Sequence, residues 1–177
     1  MSKKTKGFVL WFTGLPSSGK TTISQGVCRV LRNKGLIVKH LDGDVIRRKI
    51  NKDLSFSKRD RGKNLAIAAD LAKSLIKQEN IVIASFVSPY QDQRKRIRKK
   101  LGNFIEIFVN TPLEICQKRD IKGLYKKAHL GQIKNFTGVS GPYEPPERPE
   151  IELKTAQESV KQSVDKVIKY LLNNNYL

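Results

Sequence analysis

The first strong pattern along the chain is a continuous apolar run, Phe8-Val9-Leu10-Trp11-Phe12. A short run with no polar alternation predicts a strand buried on both faces, as in a parallel sheet. A glycine-rich stretch follows, then Ile23, Val27, Val30 and Leu31 recur at helical spacing until Gly35 closes the helix. Leu36-Ile37-Val38-Lys39-His40-Leu41 predicts a second strand, ending in Asp42-Gly43-Asp44. Ser57 with Asp60 forms a capping-box-like start, and Leu65, Ala68, Ala69, Ala72, Leu75 and Ile76 share one face of the helix behind it. Ile81–Phe86 predicts a third strand leading into Ser88-Pro89-Tyr90, and a basic helix is expected over 91–101. A fourth strand over Phe104–Val109 is stopped by Asn110-Thr111-Pro112, and 113–119 predicts a short helix. A last helix is expected over 155–172, with Val160, Val164, Val167, Ile168, Leu171 and Leu172 on one face.

Between the last two helices, residues 120–150 lose their period and mix glycine, proline, lysine and aromatics. A stretch of that length inside a compact chain predicts a lid or binding segment; its bounds are set at 119–146. Strands alternating with helices predict an α/β fold, with a mostly parallel sheet, helices on both faces and right-handed crossovers. In such sheets ligands bind beyond the carboxyl ends of the strands. At 177 residues, with neither an internal repeat nor a linker composition, the chain is expected to form one domain over 1–177.

Composition narrows the setting. The chain is 38% hydrophobic and 29% charged, as a globular protein is. No apolar run reaches the roughly 18 residues that a membrane helix needs. The charged start, Met1-Ser2-Lys3-Lys4-Thr5-Lys6, lacks the apolar stretch and small-residue cleavage site of a signal peptide. A cytoplasmic protein with no membrane contact is expected. Cys28 and Cys116 lie in helical patterns without CxxC spacing and are expected to be packed thiols, and two histidines are too few for a histidine-based metal site. The formal charge of +19 raises nucleic acid as a ligand. The basic residues are spread along the chain, with clusters at Arg94–Lys100 and Lys118–Lys134, and no zinc-finger or aromatic RNP pattern accompanies them. A positive cleft that draws in a small polyanion fits better than nucleic acid.

The glycine-rich stretch is Gly14-Leu15-Pro16-Ser17-Ser18-Gly19-Lys20-Thr21, followed by Thr22. It has the spacing of a phosphate-binding P-loop in the required strand–loop–helix context. The glycines let backbone N–H groups wrap a phosphate, and the helix N-terminus adds partial positive charge. Lys20 reaches the β- and γ-phosphates of ATP, and Thr21 offers a hydroxyl to Mg²⁺. The fold is therefore expected to be a P-loop NTPase-type three-layer α/β fold plus a lid. Beside a P-loop, the Asp42-Gly43-Asp44 carboxylates can hold Mg²⁺ or accept a substrate proton, and Arg47 and Arg48 can hold an anionic acceptor. Ser57-Lys58-Arg59-Asp60-Arg61 with Asn64 opens a helix, and Ser85–Tyr90 ends a strand with a hydroxyl, an aromatic face and a rigid proline turn. A basic lid containing Arg119-Asp120 and Lys122-Gly123-Leu124-Tyr125-Lys126-Lys127 can close over ATP and supply charge to the transferring group.

Taken in order, these motifs resemble the adenylylsulfate kinase (APS kinase) family. The matching stretches are Gly14–Thr22, Leu41–Asp44 with Arg47, Phe56-Ser57 with Asp60-Arg61 and Asn64, Ser85–Tyr90, Phe104–Pro112, and Cys116 through Asp120. Lys122-Gly123-Leu124-Tyr125-Lys126-Lys127-Ala128, Lys134, Phe136-Thr137-Gly138 and Pro142-Tyr143-Glu144-Pro145-Pro146 are the most specific. The resemblance covers residues 7–172. It implies transfer of the ATP γ-phosphate to the 3′-hydroxyl of adenosine 5′-phosphosulfate (APS), with Mg²⁺. It also implies a homodimer and a functional link to ATP sulfurylase. Carried over by motif, Asp44, Arg47, Phe56, Arg61, Asn64, Val87, Ser88, Lys122 and Phe136 line the APS site. Phe56 and Phe136 stack on its adenine, Arg47 and Arg61 hold its phosphosulfate, and Arg119 lies near the ATP adenine. Lys20, Asp44 and Ser88 are the implied catalytic positions, Asp44 by the acceptor hydroxyl and the metal with Thr21, and Ser88 where the family describes a phosphoserine. The chain departs from the family at Val45 (usually Asn), Gly62 and Lys63 (usually acidic), Asn110 (often Asp) and His129 (often Arg), none of them an expected phosphate or metal ligand.

Overall fold

The structure, a computed structural model, describes residues 7–49 and 54–177; the charged start at 1–6 lies outside it. Strand β1 (Phe8–Thr13) is the middle of a five-stranded sheet of order β2-β3-β1-β4-β5, with every pairing parallel. Its neighbours are β3 (Ile81–Ser85) and β4 (Phe104–Asn110), and β2 (Val38–Asp42) and β5 (Ile151–Lys154) form the edges. The central position explains the unbroken apolar run, since both faces of β1 are covered. Phe8, Leu10 and Phe12 face α1 (Lys20–Asn33) and α7 (Val160–Asn173), which supply Val27, Leu31, Val164, Val167 and Leu171. Val9 and Trp11 face α3 (Lys58–Lys77) and α4 (Gln91–Leu101), where Ala68, Ala69 and Ala72 keep the helix surface flat against the sheet. Trp11 is stacked between Phe86 at 5.0 Å and Phe104 at 5.8 Å. Such ring pairs add about 0.5–1.5 kcal/mol each beyond area burial, and here they fix where the chain leaves β3.

Several boundaries differ from the sequence expectation, each for a local reason. Asp42-Gly43-Asp44 does more than end the second strand: β2 stops at Asp42 and a helix starts at Gly43. Asp42 Oδ1 accepts the N–H groups of Asp44 at 2.9 Å and Val45 at 3.3 Å, capping α2 (Gly43–Lys49). Leu36 and Ile37 precede β2 rather than opening it. The aperiodic segment carries α6 (Leu124–His129), whose start is held by Asp120 accepting from the Tyr125 and Lys126 N–H groups. The fifth strand, β5, escapes pattern reading because it has only four residues, with Ile151 and Leu153 inward. The last helix begins at Val160 rather than 155, because Gln157 and Glu158 turn back onto the Lys154 carbonyl and Ser159 with Gln162 forms the capping box. The Ser57 cap of α3 is present, with its hydroxyl accepting from the Asp60 N–H. Both cysteines are free and buried.

Candidate active site

The chain reverses direction across the sheet at β1, and the glycine loop leaves β1 at that switch point, where ligands bind in open α/β sheets. Gly14 is required by close approach, since a Cβ there would lie 2.6 Å from the Val109 carbonyl oxygen. Gly19, at φ 102°, turns the loop into α1, whose first N–H groups carry roughly +0.5 charge. The loop is pinned from behind through the Ser18 carbonyl, which accepts from Thr111 Oγ1 at 3.0 Å and Thr155 Oγ1 at 3.1 Å. Arg119 reaches the same carbonyl at 3.4 Å and donates to the Thr155 carbonyl at 2.9 Å. Lys20 Nζ donates to the carbonyls of Leu15 at 2.6 Å and Gly14 at 3.0 Å. Burial lowers its pKa to about 8, with the charges of Asp44 and Asp42 opposing that shift. A polyphosphate in the loop would oppose it further.

A carboxylate group stands beside the loop. Asp42 Oδ2 accepts from the Thr21 hydroxyl at 3.0 Å, so one aspartate caps α2 with one oxygen and holds the P-loop threonine with the other. Asp44, one step along, is ion-paired across the cleft with Lys122 of the lid.

The far side of the cleft is cationic and aromatic. Arg47 lies 4.4 Å from the centre of the Phe56 ring and Arg61 lies 5.1 Å from it. Arg61 is buried, donating to the carbonyls of Phe56 at 2.9 Å and Asn135 at 3.0 Å. Burial, then the neighbouring Arg47 charge, pulls its pKa down to about 10. Burial likewise lowers that of Arg47. Two guanidinium groups held this way favour an anion between them. Phe136 meets Phe56 edge to face at 6.4 Å and 74°, so the two rings do not form a parallel slot in this geometry.

Ser88 sits in the left-handed region at φ 39°, a conformation that costs on the order of 1 kcal/mol for a residue with a side chain. Its hydroxyl is buried in a relay. Trp11 Nε1 donates to it at 3.2 Å, it donates to Thr13 Oγ1 at 3.0 Å, and Thr13 donates to the Val87 carbonyl at 2.8 Å.

A cleft of about 820 Å³ gathers nearly all of the residues singled out in the sequence. Pro16, Ser17, Gly19, Lys20, Thr21 and Thr22 line it with Asp44, Arg47, Phe56, Arg61, Asn64, Val87, Ser88, Arg119, Lys122 and Phe136. Gly14, Leu15 and Ser18 do not line it; they shape the loop from behind. The side chain of Arg48 lies outside the described part of the structure. Sequence reasoning passed over Thr111 and Thr155, which pin the loop, and undervalued Asp42. Position at a strand's carboxyl end was the available signal for Asp42 and Thr111; Thr155 follows the strand that the pattern missed.

A family model described as adenylylsulphate kinase matches residues 6–154. The adenylyl-sulfate kinase of Halothermothrix orenii is 47% identical over 175 residues, 99% of this chain and 95% of that one. The structure is similar to that of Mycobacterium tuberculosis APS kinase in complex with AMPPNP and APS, with a TM-score of 0.89 and 37% identity over 94% of this chain and 98% of that one. It is also similar to a hexameric APS kinase from Thiobacillus denitrificans, with a TM-score of 0.74 and 28% identity over 98% of this chain and 30% of that longer one.

Proposed function

The chain belongs to the adenylylsulphate kinase family, and from that premise we propose how its residues carry out the reaction. The protein is an ATP-dependent kinase that transfers the γ-phosphate to the 3′-hydroxyl of APS, giving 3′-phosphoadenosine 5′-phosphosulfate and ADP. One observation supports the division of labour most. A single cleft has a phosphate loop at one end, a pair of guanidiniums on an aromatic ring at the other, and carboxylates between them. ATP lies on Gly14–Thr22 with Arg119 at its base, and APS lies against Arg47, Phe56, Arg61, Asn64, Val87, Lys122 and Phe136. The guanidiniums take the phosphosulfate and the aromatic side takes the adenine.

In the transfer, the bond from the β,γ-bridging oxygen to the γ-phosphorus breaks as the bond from the 3′-oxygen forms. The 3′-hydroxyl proton passes to the Asp44 carboxylate, and Lys20 stabilises the charge spread over the transferring group. The Thr21 hydroxyl with the Asp42 and Asp44 carboxylates offers hard oxygen donors beside the loop, the donor set suited to Mg²⁺. Bound there, Mg²⁺ would supply charge neutralisation on the phosphates. Before substrate arrives, Lys122 holds the position beside Asp44 by its ion pair.

Direct transfer leaves no covalent step for Ser88, whose hydroxyl is engaged with Trp11 and Thr13. Ser88→Ala is expected to keep kcat within about tenfold of the parent, while losing about 1 kcal/mol of stability from the broken relay. Complete inactivity with folding and APS binding intact would instead favour a phosphoserine route. The acceptor assignment is tested by a panel of APS, AMP and sugars. APS should turn over fastest, and faster turnover of AMP or a sugar would overturn the assignment. The proposal extends to a homodimer working alongside a sulfurylase that makes APS, on the strength of the family resemblance. Two free, buried cysteines support a reducing compartment such as the cytoplasm.

A further inference from the structure

The Pro142-Tyr143-Glu144-Pro145-Pro146 run is one of the most specific stretches of the sequence, yet none of its residues lines the cleft. It lies along the turn that leaves β3. The Glu144 N–H donates to the Pro89 carbonyl at 2.8 Å, and Glu144 Oε2 accepts from the Gln91 N–H at 2.7 Å. Gln91 Nε2 donates to the Pro145 carbonyl at 3.0 Å, and the Tyr143 hydroxyl is 3.0 Å from Thr13 Oγ1. Arg94 joins the two segments. Its Nη1 donates to the Ser88 carbonyl and its Nη2 to the Glu144 carbonyl, both at 2.7 Å, while Nε is ion-paired with Glu106 at 2.9 Å. Only 3% of Arg94 is exposed, so these bonds are made out of water's reach.

We propose that this segment is a strap, riveted by Arg94, that positions the Val87–Pro89 turn for the acceptor substrate and not for ATP. Left-handed backbone at Ser88 persists only where its surroundings over-determine it. Here they do so from both sides. The Trp11–Ser88–Thr13 relay holds the side chain, and Arg94 with the Glu144 N–H holds the carbonyls of Ser88 and Pro89. Three prolines keep the strap extended and, lacking N–H groups, demand no acceptors that the turn cannot supply. The P-loop is pinned at Ser18 by a separate set of residues, Thr111, Thr155 and Arg119, whereas the strap reaches β1 through the contact of Tyr143 with Thr13. Two independent supports predict that the two substrates respond separately. Arg94 is thus a positioning residue, and its assignment rests on the reading that Val87 and Ser88 meet APS.

The test is Arg94→Lys, which keeps a cation beside Glu106 but cannot bond both carbonyls, with Glu144→Ala as the milder variant. KM and kcat are measured for APS and ATP separately, and amide hydrogen exchange is followed over residues 87–91. Arg94→Lys should raise the APS KM about tenfold, leave the ATP KM within about twofold and speed exchange at the turn. Glu144→Ala should shift the APS KM and the turn's exchange in the same direction by less, and it carries the test if the lysine variant does not fold. Equal rises in both KM values, or unchanged exchange at the turn, would overturn the strap. If the parent enzyme does not phosphorylate APS, the acceptor reading fails, and turn exchange alone then decides whether the strap exists.

Discussion

Lys20→Ala is expected to lower kcat by about 10²–10³-fold, the usual consequence of removing one preorganised group that stabilises transition-state charge. Lys20 is only 9% exposed, and its ammonium donates to the Leu15 and Gly14 carbonyls, at 2.6 and 3.0 Å. With a pKa lowered to about 8 by burial, it remains mostly protonated at neutral pH. Charge accumulates on the γ-phosphoryl oxygens as the bond to ADP breaks, so the loss should fall more on kcat than on the ATP KM. Because the loop is pinned separately through Ser18, the variant should keep its fold, which a thermal melt will show. Near-parent turnover in a folded Lys20→Ala protein would refute the role.

A loss of similar size, about 10²–10³-fold in kcat, is expected for Asp44→Ala. The neighbouring carboxylates can be separated by what each one holds. Asp42 caps α2 and accepts from Thr21, so its removal would disturb both the helix and the loop. The Asp44 side chain pairs across the cleft with Lys122, and a change there leaves the α2 cap and the Thr21 contact in place. Steady-state kcat at saturating ATP and APS is the measurement. ATP binding should survive, while loss of the proton acceptor and metal-side oxygen slows transfer. Turnover close to the parent value would remove Asp44 from the mechanism.

How much of this was legible in the sequence depended on how local each feature is. The P-loop is a contiguous pattern, with Gly14 required by its close approach to β4 and Gly19 by its positive φ, so its place and purpose could be read directly. The apolar runs of β1, β3 and β4 and the helical stripes of α1, α3 and α7 record burial, and burial is what the sheet and its layers impose. β5 was hidden because four residues give too short an alternation, and α2 because Asp42-Gly43 has turn chemistry that serves equally as a cap. The site shows the same limit. The family resemblance gathered residues of the cleft from separate stretches, but it could not show that Asp44 meets Lys122 or that the Ser88 hydroxyl is bound to Trp11 and Thr13. Those pairs are 78, 77 and 75 residues apart and exist only once the sheet is assembled.

The central claim is that one cleft joins a P-loop donor site to an APS acceptor site. Incubating the protein with ATP, Mg²⁺ and APS, and identifying the nucleotide products, tests it most directly. Release of ADP matched one for one by 3′-phosphoadenosine 5′-phosphosulfate is the predicted result; no ADP release above the background ATP hydrolysis, or phosphate found elsewhere than on the 3′-oxygen, would contradict it.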